Sequence, residues 1–314
     1  MKKFAFVFPG QGSQSVGMLD AWQDHPVVVQ ALAEASEALG EDLAQLIHAG
    51  PKEALAMTTN TQPVMLVAAV AAWRVWCAEG GTQPAALAGH SLGEYSALVA
   101  AGVLTLAQAA PLVRLRAQAM QEAVPVGSGA MAAILGLPAA TVIACCAEVT
   151  ASLGGAEVAE AVNFNDPGQT VIAGSKLAVE KSCAALKAAG AKRTLPLPVS
   201  APFHSSLMKP AAEKLRVALA QTVLAAPQIP VINNIDVTVQ TDADAIREAL
   251  YRQAFGPVRW VECVQAIKAL GVTHLVECGP GKVLAGLTRR IDAELTGAAL
   301  YDPATLAEVK ELLA

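Results

Sequence analysis

Ala85-Ala86-Leu87-Ala88-Gly89-His90-Ser91-Leu92-Gly93 is the stretch on which the reading of this chain turns. Its first four residues are small and apolar, as in a short buried strand, and a helical stretch follows over about 92–101. Between them lies Gly-x-Ser-x-Gly. At a strand-to-helix junction this pattern is a nucleophile elbow, in which glycines permit the tight, strained turn and the serine is pushed out of the strand end. The N-terminus of the helix behind it offers positive partial charge to an oxyanion. Ser91 is therefore a candidate nucleophile, and a purely structural turn is the alternative.

Outward from the elbow, strand and helix alternate. Phe4–Phe8 is a continuous apolar run expected as a buried first strand, with helices over 26–39, 51–58, 62–79 and 106–123. Short strands separated by helices indicate a parallel α/β layered sheet. The rhythm changes over 127–199. Strands are expected at 130–137, 158–164, 169–173 and 192–199, with helices at 138–152 and 176–189. Asn165-Asp166-Pro167-Gly168 makes the turn between the middle two strands. The order βαββαβ is the ferredoxin-like split unit. After 200 the α/β pattern resumes, with helices at 205–221, 243–254 and 260–270, strands at 231–235 and 274–277, and a C-terminal helix after Gly279-Pro280-Gly281. The expected architecture is α/β: a hydrolase-like parallel-sheet large domain (1–126 and 200–314) with an inserted ferredoxin-like small domain (127–199).

Composition narrows the function. The 314 residues are 54% hydrophobic and 16% charged with a net charge of −5, so a large core is expected and no electrostatic footprint for nucleic acid. The six cysteines form no Cys-x-x-Cys pair, and adjacent Cys145 and Cys146 are poorly placed for a disulfide. Reduced thiols in a cytoplasmic protein are expected, and no metal, since the histidines too lack ligand spacing. The apolar run after Met1-Lys2-Lys3 stops at Pro9, too short for a signal peptide. Residues 95–113 carry no charge, but Gly102, Thr105, Gln108 and Pro111 interrupt them, and no membrane span is expected.

A serine needs a base. His25 and His48 fall on helical surfaces, His274 begins a strand, and His90 should leave the elbow in another direction. His204, in Pro202-Phe203-His204-Ser205, lies where the chain returns from the insertion, a seam of the kind that active sites favour. A core or capping histidine is the competing reading. No acid stands at an obvious strand end after Ser91; Asp236 is a possible third member, and a backbone carbonyl is the alternative. Pro9-Gly10-Gln11-Gly12-Ser13-Gln14 misses the dinucleotide fingerprint because Ser15 replaces its last glycine. It remains a glycine-rich turn whose backbone can approach a ligand. Arg114 and Arg116 point about 200° apart on one helix, so at most one faces a site. Arg116 shares its face with Met120.

Together Gly10-Gln11-Gly12-Ser13-Gln14, Gly89-His90-Ser91-Leu92-Gly93-Glu94, Arg116 with Met120, Asn163-Phe164-Asn165 and Pro202-Phe203-His204 resemble the malonyl-CoA:acyl carrier protein transacylases of bacterial fatty-acid synthesis and their polyketide-synthase relatives. The resemblance continues through Asn233-Asn234-Ile235-Asp236, Pro257-Val258-Arg259-Trp260 and Gly279-Pro280-Gly281-Lys282. It implies that Ser91 is the nucleophile and His204 the general base and acid, with backbone N–H groups of Gln11 and Leu92 as the oxyanion hole. Arg116 would bind the malonyl carboxylate, and Gln253 would orient His204 through its carbonyl. Gln62, Met120, Asn163 and Phe203 would line the pocket, Phe203 as in polyketide domains that select malonyl over methylmalonyl. The implied substrates are malonyl-CoA and holo-acyl carrier protein, with no further cofactor. A serine esterase or thioesterase, or a carrier-protein docking module with a vestigial site, are the competing functions.

Overall fold

The structure is a computed structural model describing residues 2–22, 24–199 and 201–314. Nine strands form two sheets among these residues: β1 (Phe4–Phe8), β2 (Leu87–Gly89), β3 (Gly129–Leu135), β4 (Ala159–Asp166), β5 (Gln169–Ser175), β6 (Arg193–Pro196), β7 (Val231–Ile232), β8 (His274–Cys278) and β9 (Thr296–Leu300). The first sheet runs β7-β2-β1-β8-β9 and is parallel throughout, with Phe6 opposite Leu87 and Phe4 opposite His274.

The unbroken apolar run of β1 follows from burial on both faces, which parallel sheets require. Phe4, Phe6 and Phe8 enter one core, while Ala5 and Val7 enter another beneath Ile267, Leu275 and Leu287. Trp76, from the helix Thr58–Ala78, stands edge-on to Phe6 at 5.3 Å. That helix is long and apolar enough to cross a membrane, yet 78% of its apolar window is buried in the protein, so its apolarity belongs to the core. The uncharged stretch 95–113 divides into the helices Gly93–Ala100 and Leu106–Glu122. A capping box between Thr105 and Gln108 starts the second, and Pro111 falls inside it without ending it.

The second sheet has the order β4-β5-β3-β6 and is antiparallel, the ferredoxin-like arrangement. Along β3 the side chains alternate. Ala132 and Ile134 face the helices Ala139–Ser152 and Lys176–Ala188, while Met131 and Ala133 face the core of the parallel domain. The small sheet thus covers the end of the large one where the elbow emerges. Val258 ties the two together, donating its N–H to Val162 O at 2.8 Å and accepting from Phe164 N–H at 3.0 Å. The boundary expected at 200 lies outside the described residues.

Three elements differ from expectation. A helix, Leu43–Ala49, is capped by Asp42, which accepts from Gln45 N–H at 2.8 Å. The C-terminus is not one helix but Val283–Ile291, then β9, then Pro303–Leu313. The run Thr-Gly-Ala-Ala-Leu has little strand propensity of its own, and pairing with β8 overrides that. β7 is two residues long rather than the expected five: Asn234 turns away to serve the elbow, and Asn233 Oδ1 accepts from Asp236 N–H at 2.8 Å in the turn that follows.

Candidate active site

Ser91 follows β2 with φ of 55°, and the helix Gly93–Ala100 begins two residues later. The strain therefore falls on the serine, not on its glycines as expected. The glycines serve close approach: a Cβ on Gly89 would lie 1.9 Å from Gly93 C, and one on Gly93 would lie 2.1 Å from Phe8 O. A non-glycine residue at positive φ persists only where its surroundings overdetermine it. Asn234 does so here. Its Oδ1 accepts from Ser91 N–H at 2.8 Å and its Nδ2 donates to Gly89 O at 2.7 Å.

His204 brings Nε2 to 2.6 Å from Ser91 Oγ. It too has positive φ, 66°. Its Nδ1 lies 2.9 Å from the carbonyl oxygen of Gln253, which can only accept, so the proton sits on Nδ1 and Nε2 is left to receive the serine proton. Burial, then the charge of Arg116, pushes His204 down to about 3. The ring is accordingly neutral near pH 7. Asp236 is not part of this pair, because Arg252 grips both its oxygens at 2.7 and 2.6 Å. The other histidines are engaged elsewhere: His90 Nε2 meets Asn165 Oδ1 at 2.8 Å, His25 caps a helix, His48 pairs with Asp20 and His274 meets Thr273.

Arg116 is 2% exposed. It donates to Gln62 Oε1 at 2.7 Å, Gln253 Oε1 at 3.1 Å and Ser91 Oγ at 3.3 Å, and its guanidinium carbon lies 5.5 Å from the centre of the Tyr95 ring. Among the described residues no carboxylate lies within ion-pair distance of it, and its buried Nε has no partner. These groups converge on a cavity of about 130 Å³. Nine of the ten expected site residues line it: Gln11, Gln62, Ser91, Leu92, Arg116, Met120, Asn163, Phe203 and His204. Gln253 bonds to Arg116 and His204 from behind. Asn163 also lines this space, and its Oδ1 is buried without a protein partner. A second cavity of about 270 Å³ adjoins, sharing Gln11, His90 and Asn163 and reaching Val283 and Leu287.

Residues 5–295 match the acyl transferase domain family. The chain belongs to that family. It is 57% identical over 307 residues to the malonyl CoA-acyl carrier protein transacylase of Salmonella typhimurium, with 98% of each chain covered. The crystal structure of acyl-carrier-protein S-malonyltransferase from Burkholderia pseudomallei is similar at TM-score 0.96 and 63% identity, covering 98% of this chain and 99% of that one. A structure of a type II PKS acyl-carrier protein in complex with its malonyl-transacylase has TM-score 0.96 and 53% identity, covering 99% and 100%.

Within this acyl transferase, sequence reasoning missed the buried network behind the site. Asn234 and Glu94 both lie in quoted motifs, yet neither received a role. Glu94 did carry a signal, since it is the only charged residue in 91–113. Asn234 carried none, because its partners are more than 140 positions away.

Proposed function

We infer that this acyltransferase moves a malonyl group from malonyl-CoA to the phosphopantetheine thiol of acyl carrier protein for fatty-acid elongation, with Ser91 carrying the group between them. The observation that carries this reading is a buried arginine with only neutral partners, bonded to the same hydroxyl that meets a neutral histidine. A guanidinium in an apolar site needs a partner, and a carboxylate supplies it bidentately. Malonyl places a carboxylate one methylene beyond the carbonyl that Ser91 attacks.

The proton path follows from the tautomer. His204 Nε2 takes the Ser91 proton as Oγ attacks the thioester carbonyl, and the N–H groups of Gln11 and Leu92 receive the oxyanion. Such donors are worth about 3 kcal/mol each in the transition state. The tetrahedral intermediate expels the coenzyme A thiolate, which leaves with the proton from His204, and malonyl-serine remains. The carrier's thiol then gives its proton to His204 and attacks the ester, and Ser91 recovers that proton as it leaves. One site serves both half-reactions, so the kinetics are ping-pong.

The adjoining cavity along the helix Val283–Ile291 suits the arm of either thiol substrate. We take 127–199 as a unit inserted into the catalytic domain, closing the site from above. Free cysteines throughout the described residues support a reducing cytoplasmic setting. Intact-protein mass spectrometry after mixing with malonyl-CoA tests the reading. The wild type should gain one malonyl group and Ser91→Ala none; an adduct that persists in the alanine variant would place the nucleophile elsewhere.

A further inference from the structure

Glu94 lies in the first turn of the helix that follows the elbow and is 2% exposed. Burying a carboxylate is costly unless it is hydrogen-bonded. Two N–H donors meet it at the same oxygen: Oε2 accepts from Asn234 N–H at 2.9 Å and from Gln253 Nε2 at 3.0 Å. Burial pushes Glu94 up to about 7, while these two bonds pull it down. In either protonation state the oxygen that receives both N–H groups stays an acceptor.

A glutamine amide is directional, with two donors on nitrogen and lone pairs only on oxygen. The Gln253 nitrogen is turned to two acceptors, Glu94 Oε2 and Ser91 O, the latter at 3.0 Å. Its oxygen is thereby turned to Arg116 Nη2. Reversed, the amide would set its N–H groups against the guanidinium, donor against donor. Gln62 Oε1 holds the other terminal nitrogen. The two amide oxygens together fix the plane of the fork.

We propose that Glu94 is a positioning residue for acyl-group selection, holding Arg116 toward the cavity through the side-chain amide of Gln253. This rests on the reading of Arg116 as the carboxylate binder. It is separate from the orientation of His204, which uses the Gln253 backbone carbonyl and does not depend on that side chain.

The test is the ratio of malonyl to acetyl transfer, with single-turnover acylation from each donor measured across a small set of variants. Glu94→Met removes the acceptor at similar size and should lower the ratio roughly 10- to 100-fold, the scale of a misaimed group, mainly through a raised KM for malonyl-CoA. Glu94→Gln keeps an acceptor and should restore most of the ratio. Gln253→Met keeps the backbone carbonyl and should match Glu94→Met, which covers the case where the latter fails to fold. In an Arg116→Ala background neither change should lower the ratio further. Equal losses for both donors, or an unchanged ratio in Gln253→Met, would overturn the proposal. If Arg116→Ala alone leaves the ratio intact, the reading of Arg116 fails first. If it collapses the ratio while the Glu94 and Gln253 variants do not, only the present inference fails.

Discussion

The two ends of the reaction cavity are built on opposite plans. At the nucleophile end, Ser91 and His204 come from separate segments, both stand at positive φ, and they meet at 2.6 Å. At the other end Arg116 leaves an ordinary helical turn without backbone strain, and what it lacks is a charge partner. Two residues earlier on the same helix, Arg114 has both terminal nitrogens on the Glu41 carboxylate at 2.7 and 2.6 Å. The contrast separates two devices. On the proposed reading, strained geometry sits where every acyl donor must react, and unsatisfied charge sits where donors are told apart. Changes at the first end should therefore affect all donors alike, and changes at the second should affect only those with a carboxylate.

The largest effect bears on the nucleophile end. His204→Ala should slow acylation ~10²–10⁴-fold, the usual worth of general acid–base catalysis, for malonyl and acetyl donors together. Rapid-quench measurement with both donors checks this. A loss confined to malonyl would erase the distinction between the ends. His90→Ala producing the same loss, with His204→Ala near normal, would move the base to the wrong side of the elbow.

Next comes Arg116. Breaking a buried charge pair by removing one partner costs about 3–5 kcal/mol, so Arg116→Ala should depress malonyl transfer by a factor of hundreds or more. Acetyl transfer should hold or improve, because no guanidinium is then left unpaired. Arg116→Lys should rescue malonyl only in part, since an ammonium cannot reproduce the fork. Arg114→Ala is the control from the opposite face. Its bidentate ion pair with Glu41 lies away from the cavity, so both rates should stay near wild type. Equal malonyl and acetyl losses in Arg116→Ala would make that arginine a support of the fold.

The smallest effect concerns how His204 is held. Asp236→Asn should leave transfer within a few fold of wild type, because a carbonyl and not this carboxylate meets Nδ1. A loss near the ~10⁴ seen when a triad aspartate is neutralised would mean that the nucleophile end has an acid after all.

Much of this was legible in the chain because the relevant interactions are local. The elbow needs only a strand, five motif residues and a helix start in immediate succession. The inserted unit announced itself through a change of rhythm and the turn Asn165-Asp166-Pro167-Gly168, whose Gly168 N–H is held by Asp166 Oδ1 at 2.8 Å. The shorter elements were harder. β9 is made of small residues and exists because β8 lies beside it, so no window of sequence contains its cause. The carbonyl that holds His204 is a backbone group, which every residue possesses, and only the family resemblance pointed to Gln253.

The sequence by itself determined the strand-to-helix serine, the alternation that builds a doubly covered parallel sheet, and the opposed directions of Arg114 and Arg116. Each depends on residues within a turn or two of one another. Tertiary structure alone decided that His204 Nε2 stands 2.6 Å from Ser91 Oγ, that Asp236 goes to Arg252, and that Glu94 lies behind Gln253. Ser91 and His204 are 113 positions apart, and Glu94 and Gln253 are 159. Chain spacing says nothing at that range. The meeting points are set by how one sheet packs over the end of the other, where buried polar groups must find partners among whatever the packing brings within reach.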